Sequence, residues 1–212
     1  MLPKSLKTIV ITISLAAGPI CAQDTPPDGG YAASSAYPSN KSGAFFGGTL
    51  TFGQSRAVGE SSPGVGWFSG IEAGYVAARN EWNRLETGLE LGTGFANFKQ
   101  KDGGPQISLP ITFYTLAKFG YAYSIGEKTF GVLRLGAGPA TAKYPAKGLV
   151  SGSAESLTGF KGLVAYDFVF PAGEGLELVA GFNVRFFSFT GDEVDGFQMN
   201  VPALNVAARY RL

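Results

Sequence analysis

Residues 84–97 read Arg-Leu-Glu-Thr-Gly-Leu-Glu-Leu-Gly-Thr-Gly-Phe-Ala-Asn. The charges Arg84, Glu86 and Glu90 fall on even positions, while Leu85, Leu89, Leu91 and Phe95 fall on odd ones. Successive side chains of an extended strand point to opposite faces, so this stretch predicts a strand with one charged and one greasy face. A helix, with its period of 3.6, would scatter both sets around its circumference.

Working outward, the same period-two alternation recurs near 45–55, 67–78, 109–123, 130–141, 157–169, 176–189 and 203–212, giving eight predicted strands. The connections 79–83, 124–129 and 170–175 are tight. Those at 56–66, 98–108, 142–156 and 190–202 are longer. An even number of strands with short turns at one end and long loops at the other is the pattern of an all-β, eight-stranded antiparallel up-and-down transmembrane β-barrel.

The eight spans hold twelve charges: Glu72, Arg84, Glu86, Glu90, Lys118, Arg134, Lys161, Asp167, Glu177, Arg185, Arg209 and Arg211. Within each span every charge has one parity, and the opposite parity is apolar. The span 109–123 places Leu109, Ile111, Phe113, Phe119, Tyr121 and Tyr123 there, and 176–189 places Leu176, Leu178, Phe182 and Phe186. A soluble barrel would turn the greasy face inward, as in a periplasmic lipid-binding barrel; a membrane barrel reverses the faces. Aromatics toward the ends of the greasy face (Trp67, Phe95, Tyr121, Tyr123, Tyr166, Phe168, Tyr210) favour the membrane arrangement, because such rings seek the interface. So do the glycines among the charges (Gly74, Gly88, Gly92, Gly94, Gly120, Gly136), which suit a crowded lumen.

Composition narrows the chemistry. Among 212 residues there are 17 basic and 16 acidic side chains and no histidine, and 16% of the chain is charged, against about 25% in ordinary soluble domains. Near-neutral charge argues against a nucleic-acid partner. The lack of histidine excludes imidazole metal sites and histidine-based triads, so no enzyme, metal or cofactor is expected. The lone Cys21 leaves no internal disulfide. Lys4 and Lys7 followed by the apolar run Thr8 to Ala17 predict a secretory signal over 1–22, too short to span a bilayer. The Pro-, Gly- and Ser-rich stretch 23–42 reads as a flexible periplasmic tail before a barrel over 43–212.

The closing segment, Val206-Ala207-Ala208-Arg209-Tyr210-Arg211-Leu212, alternates to its last residue. It resembles the C-terminal signature by which the barrel assembly machinery recognises outer-membrane barrels, with Val206, Ala208, Tyr210 and Leu212 as the assembly signal; Leu212 stands where phenylalanine is usual. The chain from about residue 41 resembles the small eight-stranded outer-membrane proteins of the Gram-negative cell envelope, such as the barrel domain of outer membrane protein A. The resemblance is architectural and implies residence in the cell outer membrane among its lipids and lipopolysaccharide.

Eight strands leave an interior just wide enough for side chains, so the twelve charges are expected to fill it as a lumen network. Turns centred near Glu81, Gly126 and Ala172 would set Glu72 opposite Glu90, Lys118 opposite Arg134, Asp167 near Glu177 and Lys161 near Arg185. Facing like charges need bases reaching across the lumen. The network reads as a rigid filling, giving a structural or surface-interaction protein. The alternative is a small gated, porin-like pore in which one bridge swaps partners. A carboxylate pair at Glu72 and Glu90 would need a substrate-accessible cleft to act catalytically. Lys143 and Lys147, in the third long loop, read either as solvated residues or as contacts to lipopolysaccharide phosphates.

Overall fold

A computed structural model describes residues 42–58, 61–80, 82–100, 106–126, 128–144, 155–191 and 196–212. The signal and nearly all of the tail lie outside them, as does Lys147. The strands are β1 (Gly43–Ala57), β2 (Ser61–Ser62), β3 (Gly64–Ala78), β4 (Asn83–Gln100), β5 (Gln106–Ser124), β6 (Phe130–Tyr144), β7 (Glu155–Pro171), β8 (Leu176–Thr190) and β9 (Phe197–Arg211). The two residues of β2 pair only with the end of β4. The other eight follow each other antiparallel, and β1 pairs with β9 to close the ring.

Following ladder partners once round from Gly43 through Val76, Glu86, Gly120, Arg134, Ala165, Asn183 and Ala203 returns to β1 at Gly53, ten residues further on. That stagger sets the strands at about 35–45° to the barrel axis.

The faces divide by chemistry. Leu89 and Phe182 are 47% and 66% exposed, whereas Glu90 and Arg185 are 2% and 1% exposed. A soluble lipid-binding barrel would show the converse. The outward apolar surface runs on β7 from Phe160 to Phe170, which spans about 25 Å along the axis at 3.3 Å per residue and this tilt, the height of a bilayer's hydrocarbon band. Exposed rings edge it at both ends: Phe52, Trp67, Phe113 and Phe160 toward the long loops, and Phe46, Tyr75, Tyr123, Phe170 and Tyr210 toward the tight turns.

Three sequence expectations are corrected. Leu109 and Ile111 are fully buried inside the barrel, not on its greasy exterior. A β-bulge sets two residues, Thr112 and Phe113, against Thr93 and exchanges the faces of β5 partway along. The hairpin at 124–130 centres one residue beyond Gly126, so Lys118 faces Gly136 and Arg134 faces Gly120. The hairpin between β7 and β8 centres on Glu174 rather than Ala172, because β7 continues through Pro171 and the chain reverses at Gly175, whose φ of 76° is left-handed. Asp167 therefore faces Gly181, Glu177 faces Pro171, Lys161 faces Phe187 and Arg185 faces Leu163. In the first hairpin Ala78 faces Arg84 and Glu72 faces Glu90, the register expected of it.

The strands also outrun their predicted ends at the long loops. β9 begins at Phe197, with Pro202 inside the ladder opposite Val184.

Candidate functional site

The lumen gathers eleven of the twelve charges into two ion-pair groups. In the group nearer the tight turns, Glu86 is the hub. Arg84 reaches its Oε1 at 2.9 Å, Arg134 its Oε2 at 2.8 Å, and Arg209 both oxygens at 2.8 and 2.9 Å. Glu177 accepts from Arg84 at 3.1 Å and from Arg209 Nε at 2.7 Å, and pairs with Arg211 at 3.4 Å. Arg134 also pairs with Asp167. Each acid of this group serves at least two bases except Asp167, whose second oxygen accepts from Asn205 at 3.3 Å.

The second group answers the like-charge problem posed by Glu72 opposite Glu90. Lys118 reaches across to both, pairing with Glu72 and standing 3.1 Å from Glu90 Oε2. Arg185 donates to Glu90 Oε1 at 3.1 Å and to Thr51 Oγ1 at 2.8 Å, and the Tyr114 hydroxyl donates to Glu90 at 2.7 Å. Buried charges hold only when paired and hydrogen-bonded, and this arrangement meets that demand for both carboxylates.

Tyr114 and Thr51 are lumen residues for which the alternation alone gives no role. Tyr114 shares the parity of Lys118 beyond the bulge. Its ring fits because the opposing residue is Gly92, where a methyl would stand 2.5 Å from the Tyr114 hydroxyl. Gly74 makes room in the same way for the ring of Phe45, 2.6 Å from where its methyl would be.

Lys161 stands apart from both groups. It is fully buried, and its ammonium finds no hydrogen-bond acceptor among the described residues. It lies 2.9 Å from the centroid of the Tyr114 ring, 5.4 Å from that of Phe68 and 5.5 Å from that of Phe187, a cation–π seat.

Above Lys161, toward the long loops, the interior is apolar. Phe68, Ala96, Phe98, Leu109, Ile111, Leu157, Phe187, Phe189, Met199 and Val201 meet there, with Phe68 and Phe187 stacked at 5.3 Å. The charge network thus sits below this apolar core and is joined toward the tight turns by a smaller apolar cluster of Ala122, Phe130, Val132, Val169 and Val179. Within the charge network, between its two groups, lies a cavity of about 10 Å³ bordered by Glu72, Glu90, Lys118 and Arg185 on one side and Arg134, Asp167 and Asn205 on the other, room for one water.

Lys143 is exposed on the outer face of β6 near its loop end. Val206, Ala208, Tyr210 and Leu212 are exposed along the outside of β9 and the terminus. No group of three or more acidic, cysteine or histidine ligands that could hold a metal occurs among the described residues.

No protein-family model matches this sequence, and no curated protein matches it. Among solved structures it is similar to Neisserial surface protein A, at 13% identity with a TM-score of 0.55, over 80% of this chain and 97% of that one. The attachment invasion locus protein Ail of Yersinia pestis, in complex with the heparin analogue sucrose octasulfate, aligns at 15% identity with a TM-score of 0.47, over 80% and 97% of the two chains. The first of these likenesses agrees with the geometry above in fold: an eight-stranded outer-membrane β-barrel.

Proposed function

We propose that this chain is a non-enzymatic integral outer-membrane protein with a structural or surface-interaction role, its interior closed rather than conducting. One observation carries the reading: the lumen is filled in two successive ways, by paired charges with room for one water among them and then by an apolar core. Passage of a solute would require both fillings to move. Function then belongs to the loops and the outer wall.

In this reading residues 1–22 direct export, residues 23–42 are a periplasmic tail and residues 43–212 form the barrel. Tight turns face the periplasm and long loops the exterior. Val206, Ala208, Tyr210 and Leu212 serve the assembly machinery, and Lys143 and Lys147 meet lipopolysaccharide phosphates.

The test is conductance of the refolded protein in a planar bilayer. The expected result is no steady current. Discrete channels that vanish on Glu90→Gln or Arg134→Gln would replace this reading with the gated pore. Migration on a gel with and without boiling tests the barrel itself, which is expected to run at two positions.

A further inference from the structure

The outer wall holds an apolar groove of about 670 Å³ that crosses β6, β7, β8, β9 and β1. One side is a single ladder row of outward side chains, Leu133, Tyr166, Phe182, Leu204 and Phe52, each paired with the next. The other side is the smaller row Val164, Val184 and Pro202. Large against small leaves the trough. Because the ladder climbs with the stagger of the strands, the groove is diagonal: it starts partway down β6 at Leu133 and ends high on β1 at Phe52.

Its upper end opens beneath a base. Arg56 is exposed on the same face of β1, four residues beyond Phe52, or about 13 Å of extended chain. Gln54 lies outward between them. Across the ladder Arg56 faces Asn200, and Gln198 is the next outward residue of β9. Guanidinium, three amides and an apolar trough thus follow one another down a single strip of wall. Of the other outward bases of the strand extensions, Lys99 stands on β4, which the groove does not cross, and Lys143 stands on β6 ten residues above the groove's lower end at Leu133.

We infer that this strip is a binding site for one phosphorylated glycolipid, its phosphate on Arg56, its sugar hydroxyls on Gln54, Gln198 and Asn200, and one acyl chain laid down the groove. The guanidinium fork matches a phosphate with two parallel hydrogen bonds. The amides supply donors and acceptors for sugar hydroxyls, which a glycerophospholipid headgroup leaves unused. The groove supplies apolar surface continuous with the bilayer. The inference rests on the reading above that the long loops lie outside, since the outer leaflet carries the glycolipid.

The test uses the refolded full chain in phosphatidylcholine nanodiscs doped with diphosphoryl lipid A, dephosphorylated lipid A or phosphatidylglycerol, with retained lipid read by native mass spectrometry. Diphosphoryl lipid A is expected to be retained. Loss of its phosphates, or Arg56→Ala, is expected to weaken retention about tenfold, the scale of charged hydrogen bonds. Arg56→Lys should keep part of it. Val184→Trp, which fills the trough on a lipid-facing position, should weaken it comparably, and Lys99→Ala, on a strand the groove does not cross, should leave it unchanged. Phe52→Ala, which opens the upper end, gives a second check on the groove. The site is overturned if phosphatidylglycerol is retained equally, if Lys99→Ala matches Arg56→Ala, if both groove variants are silent, or if cross-linking finds a second copy over the groove. Failure of the membrane reading has a separate signature, loss of the two-position gel migration in every arm.

Discussion

Between the aromatic rows the barrel keeps its charges inside and shows only apolar or small side chains outside; beyond Phe52, Phe160 and Phe186 the interior turns apolar and polar side chains come to the outside. On β8, Glu177 and Arg185 point inward opposite exposed Leu178 and Phe182, and then Phe187 and Phe189 point inward while Ser188 and Thr190 are exposed. On β9 the buried residues run Met199, Val201 and Ala203 before Arg209 and Arg211. On β4, Glu86 and Glu90 give way to Ala96 and Phe98. The solvent explains the exchange. Hydrocarbon demands an apolar exterior and leaves the interior as the only place for polar groups, whereas water outside restores the ordinary preference for an apolar interior. Since the pleat fixes which side each residue faces, seven of the eight strands change residue type as they leave the band and keep their direction. β5 adds a bulge, which turns Leu109 and Ile111 inward.

That contrast can be broken most severely at its charged end. Glu86→Gln leaves the guanidiniums of Arg84, Arg134 and Arg209 short of their shared partner, and should cost about 3–5 kcal/mol of stability in urea unfolding from lipid vesicles. A cost near zero would mean that the network is solvated and does not hold the barrel.

Next comes the lipid-facing wall. Leu89→Arg or Phe182→Arg should each cost about 2–4 kcal/mol near the bilayer midplane by the same measurement. A loss at lumen-facing Asn183→Asp, which adds charge without size, as large as that of Phe182→Asp would reverse the assignment of faces.

Ile111→Val removes one methylene from the apolar interior beyond the band and should cost about 0.5–1.5 kcal/mol. An effect indistinguishable from zero would put Ile111 back on the exterior and remove the bulge. The smallest effect is expected at Ser188→Arg, an outward position past the aromatic row, within about 0.5 kcal/mol. A loss like that of Phe182→Arg would show that the hydrocarbon reaches further up β8 than Phe186.

Much of this was legible because parity is a local property. Glu86, Glu90, Arg185 and Arg209 share a side with every second neighbour whatever the rest of the chain does, and the register of β3 with β4 follows from the short link between them. The positions of Lys118 and Asp167 against their neighbours were not legible. A one-residue error in a hairpin centre moves every partner by two, and the reversal at Gly175 lies past an apolar Phe170-Pro171 that still belongs to the strand. Tyr114 as a ligand of Glu90 was hidden for another reason: parity sets it on the lumen side with Lys118, but only the pairing of β5 with β4 brings its hydroxyl to that carboxylate.

The amino-acid order by itself determined eight amphipathic strands, their up-and-down sequence and the segregation of charge from grease, because the two-residue repeat of an extended chain needs no distant contact. Only the closed barrel decided which carboxylate serves which base, where the apolar core takes over from the ions, and that a groove on the outer wall ends beneath Arg56. Those outcomes depend on the ten-residue stagger of the ring and on one bulge, quantities fixed when all eight strands pair at once.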